Sequence, residues 1–135
     1  MKASTSARAT VPLFAAQAIF AVLHRLFGTD YVRFTHAYNV AGELALACIW
    51  IAAAIAALVG RGGPAFIVVC LGATASFVHG LMVLTGTTAS MGGVHWVGIL
   101  FLLAGAVEAF LAVRAVPAFR HDHRIPPSWH ARSHA

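Results

Sequence analysis

Five side chains within or beside apolar segments of this sequence have the chemistry to hold a metal ion: His24, His36, Glu43, His79 and His95. Neutral imidazole is the commonest metal ligand, and a carboxylate beside it suits copper, iron or zinc. The transition-metal set expected here is His36, Glu43, His79 and His95. A second use of the same chemistry is haem b, with His24 and His79 as axial ligands from two helices. Met82 or Met91 nearby would tilt the metal toward copper. No spacing of the HExxH kind is present. The argument is that these residues gather at one end of the apolar segments.

Each residue also has an ordinary role to set beside the functional one. His24 and His95 lie where a side chain reaches lipid headgroups, and His36 falls in a polar connection where water would solvate it. Glu43 would be a neutral, hydrogen-bonded acid or would pair with Arg33 or His36, and His79 would be satisfied by one bond to Ser76 or to a neighbouring helix. Glu108 stands apart on the last apolar segment, with Arg114 as its expected partner and a proton-relay step as the bolder use. Cys48 and Cys70 have no CxxC spacing and read as small buried hydrophobes. The tail histidines His121, His123, His130 and His134 could collect metal, but a solvated polar terminus is the reading adopted.

The elements that position these residues follow from composition. The 135 residues are 60% hydrophobic and 10% charged, against about 25% charged in a soluble domain, and the mean hydropathy is +0.82. Lipid is therefore the solvent for most of the surface. Residues 1–10 read as a cytoplasmic tail, followed by transmembrane helices at about 11–27, 39–59, 64–85 and 94–116, with a second cytoplasmic tail over 117–135. The first apolar stretch ends in LHRLFGTDY, without a small-residue cleavage site, so it is taken as a helix and not a signal peptide. Pro64 opens the third helix and Pro117 is expected to stop the fourth. Each span is close to the ~20 residues that cross a bilayer. Short loops between such spans predict an all-α, antiparallel four-transmembrane-helix bundle. Gly72, Ala75, Ser76, Gly98 and Gly105 would let those helices approach closely.

The basic residues sort by side. Lys2, Arg8, Arg61, Arg114, Arg120, Arg124 and Arg132 fall on one face of the membrane, and Arg25 and Arg33 on the other. The positive-inside rule then places both termini in the cytoplasm of a multi-pass plasma (inner) membrane protein. His79 lies seven residues before Gly86, hence about 10 Å below the outer boundary. Gln17, Ala21 and His24 share one helix face, as do Gly72, Ser76 and His79, and both faces should point into the bundle. FAVLHRLFGT and SFVHGLMVLTGT also share a His-x-Leu shortly before Gly-Thr, a faint echo of duplication.

The 15-residue stretch RFTHAYNVAGELALA resembles the loop-to-second-helix region of the four-helix membrane proteins of eicosanoid and glutathione metabolism. The resemblance would give Arg33, Asn39 and Glu43 a role in holding glutathione. The chain departs from that pattern: Asn39 and Glu43 are four residues apart where the family has three, and the connection falls outside where the family's faces the cytoplasm. The chain is not assigned to that family.

The function expected is a small polytopic protein whose outer His/Glu cluster binds a metal ion or haem in a redox or metal-handling role. The alternatives are an accessory subunit of a larger membrane complex, a membrane-embedded enzyme acting on a lipophilic small molecule, and a transporter that must oligomerise. Lipid, further copies or other membrane subunits are the expected partners. The basic residues sit at segment ends, which argues against nucleic acid. The sequence does not decide whether the protein is an enzyme.

Overall fold

A computed structural model describes residues 3–27, 36–85 and 95–120. It is all-helical there: α1 (Ala3–Phe27), α2 (His36–Val59), α3 (Gly62–Leu84) and α4 (His95–Arg120). All four are long and apolar enough to cross a membrane, with spans of 21, 18, 23 and 25 residues. At 1.5 Å per residue these reach about 27–38 Å, matching a hydrocarbon core of about 30 Å.

The helices extend beyond the sequence-based limits. α1 begins at Ala3 and not Val11, because the polar residues of its first turns fit the bundle: Ser6 and Thr10 are fully buried. The Thr10 hydroxyl donates to the Ala7 carbonyl at 2.7 Å, so the polar group is satisfied within its own helix. Pro117 lies inside α4 and does not stop it. So near a helix end the ring removes one backbone hydrogen bond and little more. His36 was expected in a connection and instead opens α2.

The four helices pack as a ring, α1 on α2, α2 on α3, α3 on α4 and α4 on α1. Close approaches show the directions. Gly80 meets Gly98 and Leu102, and Gly105 meets Phe77 and Ala73, so numbering rises on α4 as it falls on α3. A Cβ added at Gly80 would lie 2.9 Å from the Gly98 carbonyl oxygen, and one at Gly98 would lie 2.8 Å from Leu84 Cγ. That backbone contact is the small-residue packing that substitutes for a hydrophobic driving force in lipid. α2 and α3 are joined by Gly60 and Arg61 alone. Gly62 then takes φ +76°, a conformation open to glycine at little steric cost.

The core is made of small residues around a few large ones. Ala47, Ala53, Ala73, Ala112 and Ala115 are buried around Phe14, Trp50 and Phe101. Outside, Ile19, Leu26, Ile55, Val59, Leu103 and Val113 are exposed, as a lipid-facing surface requires. Cys48, expected in the interior, is on this outer face, and Cys70 is half-buried.

Candidate functional site

Two polar groups occupy the interior. The first lies at the end of the bundle where α1 stops and α2 begins, here the His24 end. His24 Nδ1 and Glu43 Oε1 are 3.1 Å apart, with side chains 13% and 16% exposed. His24 is thus bound to a carboxylate instead of reaching for headgroups. Arg33, one of the partners expected for Glu43, lies outside the described residues, as does the His36 side chain.

His79 approaches the same place from α3. With His24, Glu43 and Trp50 it lines a cavity of about 10 Å³, the room of a single water. Its ring stands edge-on to Phe101 at 4.7 Å and to Trp50 at 5.9 Å. His79 Nδ1 is buried without a hydrogen-bond partner. Ser76, one of the two partners the sequence offers it, is engaged deeper in the bundle.

That deeper engagement is the second group. Ser76 Oγ accepts from the Trp50 indole N–H at 3.0 Å and lies 2.9 Å from Gln17 Oε1. It is also 2.7 Å from Glu108 Oε2 and 3.1 Å from the Gly72 carbonyl oxygen. Trp50, Ser76 and Glu108 are fully buried, and Gln17 is 7% exposed. Four helices each contribute one side chain, near the middle of their spans.

Glu108 therefore does not pair with Arg114. Arg114 is exposed, its guanidinium 5.4 Å from the Phe110 ring centre. A signal for this was available in the sequence. Six residues on a 3.6-residue period put the two side chains on different faces. Phe101, Gly105, Glu108, Ala112, Ala115 and Phe119 instead form one helical stripe, buried throughout. Trp50 was not singled out at all, although Glu43, Ala47, Trp50 and Ala57 mark the equivalent stripe on α2.

The expected metal set is only partly visible. His95 opens α4 at the same end, but its side chain, like that of His36, is outside the described residues. Among the described residues no three His, Cys, Asp or Glu side chains stand close enough to hold an ion. His24, Glu43 and His79 share the cavity without closing on a point. Met82 is exposed and Met91 is outside the described residues, so neither Met is seen as a ligand. Haem does not fit between His24 and His79. The space there has room for one water, and Phe20, Trp50 and Phe101 pack as an aromatic cluster with centroids 5.5–5.7 Å apart.

No known protein family matches this chain, nor does any curated protein or solved structure.

Proposed function

We propose that this membrane protein binds one transition-metal ion at the His24 end of its bundle, in metal handling and not in haem chemistry. One observation carries the reading. His79 has a buried ring nitrogen without a partner, beside a water-sized cavity that it shares with the His24–Glu43 pair. Zinc, copper or iron suits imidazole and carboxylate donors. His36 and His95, which open α2 and α4, would be the further donors of this reading. Glu43 holds the His24 ring in one orientation, as carboxylates commonly do for metal-bound imidazole.

In this reading the spans form an antiparallel bundle in the plasma (inner) membrane, with both termini in the cytoplasm. The unequal division of Lys and Arg supports that orientation. The His24 end then faces outward, where an ion would be captured. Further copies or other membrane subunits would cover part of the apolar surface.

A second reading, an enzyme acting on a lipophilic small molecule, is favoured by a groove of about 260 Å³ between α1 and α4. Its walls are apolar apart from Gln17.

Elemental analysis with an optical spectrum, on protein purified without a histidine tag, separates these readings. Near-stoichiometric metal, lost in His79→Ala and in Glu43→Ala, is expected. A metal-free, colourless protein that copurifies with larger subunits would overturn the metal reading in favour of an accessory role.

A further inference from the structure

The mid-span group holds more oxygen atoms than its hydrogens can serve. Ser76 has one hydroxyl proton, yet Glu108 Oε2, Gln17 Oε1 and the Gly72 carbonyl oxygen all lie 2.7–3.1 Å from its oxygen. If Glu108 were a carboxylate, the hydroxyl would donate to it and Gln17 Oε1 would lack a donor. A fully buried negative charge would then rest on the Ser76 hydroxyl and the flanking Gln17 amide alone, two neutral groups. Such a charge is among the most unfavourable arrangements in a membrane interior.

One added proton closes the group. With Glu108 Oε2 protonated, its O–H and the Trp50 N–H both donate to Ser76 Oγ, and the Ser76 O–H donates to Gln17 Oε1. This fills the hydroxyl's capacity of two accepted bonds and one donated. Gln17 Nε2 is a donor without a partner and Glu108 Oε1 an acceptor without one. The Gln17 amide flanks that carboxyl, so a small closure pairs them.

We propose that Glu108 is a proton-binding site in the middle of the bundle. The groups packed against Glu108 are Gln17 from α1, Trp50 from α2 and Ser76 from α3, all neutral. On α4 itself, the nearest charged residue in sequence, Arg114, is exposed. Binding a proton turns the Glu108 carboxylate into a carboxylic acid. Nothing is oxidised or reduced. This site is distinct from the metal reading and does not rest on it.

Infrared spectroscopy of the full chain in lipid nanodiscs, without added metal, tests the proposal. At neutral pH a carbonyl stretch from a protonated carboxyl is expected, and Glu108→Gln should remove it. The chain has two glutamates, Glu43 and Glu108. Carbon-13 glutamate labelling in Glu43→Gln therefore assigns the band to Glu108 while the mid-span group stays intact. On transfer to heavy water the band should shift, as the stretch of an exchangeable protonated carboxyl does. A spectrum with no band that responds to the label would overturn the site. Loss of the band on adding sodium at constant pH would overturn the proton in favour of a cation.

Discussion

The His24 end and the mid-span group use similar side chains and hold them in opposite ways. At the His24 end, a histidine and a glutamate sit 13% and 16% exposed beside a cavity with room for one water. At mid-span, Glu108 is fully buried and in direct contact with a serine hydroxyl. The first arrangement leaves donor atoms and space for something to enter. The second is closed by side chains already in hydrogen-bond contact with one another. The difference follows from depth. Near a boundary water can compensate an unfilled site, whereas in the middle of a bilayer each polar group must find protein partners.

Trp50 joins the two regions, lining the cavity and donating to Ser76. Trp50→Ala should therefore give the largest loss, about 3–5 kcal/mol, measured as unfolding in mixed detergent–lipid micelles, with both metal binding and the Glu108 carbonyl band abolished. Retention of either property would show that the regions are independent.

Gly98→Leu should come next, at about 1–3 kcal/mol, because the new side chain meets Leu84 and the Gly80 carbonyl. Val97 lines the cavity and Gly98 lies beside it in sequence. Metal binding should therefore weaken while the carbonyl band survives. Loss of the band alone would reverse the expected order.

Ser76→Ala acts on the mid-span group only. It should lower stability by about 0.6–1.7 kcal/mol, the range found for hydrogen bonds between membrane helices, and leave metal stoichiometry unchanged. A fall in metal content would contradict the separation of the two regions.

His24→Gln should have the smallest effect on stability, under about 1 kcal/mol for a partly exposed ion pair. Its effect on zinc affinity should be larger, roughly 10–100-fold if the pair orients the bound ion's ligands. Calorimetric titration with zinc measures it, and an unchanged affinity would remove His24 from the metal site.

The four spans were legible because lipid imposes the same demand on every residue of a crossing segment. The inward faces of α1 and α3 were legible as well: Gln17, Ala21, Gly72 and Ser76 are all buried as their spacing implied. Helix ends were not. Ser6 and Thr10 look like tail residues until a neighbouring helix covers them. Partners were harder still, since a pairing depends on how each helix is rotated about its axis. Nothing in the sequence points from Glu43 on α2 to His24 on α1, which reaches it at 3.1 Å. Glu108 was assigned to a residue of its own helix, although the stripe of small residues around it pointed inward.

The two-residue turn at Gly60 and Arg61 also constrains how the protein enters its membrane. Two residues extend to about 7 Å at most, far short of a hydrocarbon core of about 30 Å. Two spans joined so tightly and both crossing a bilayer would do so in opposite directions, as one helical hairpin with Arg61 in its turn.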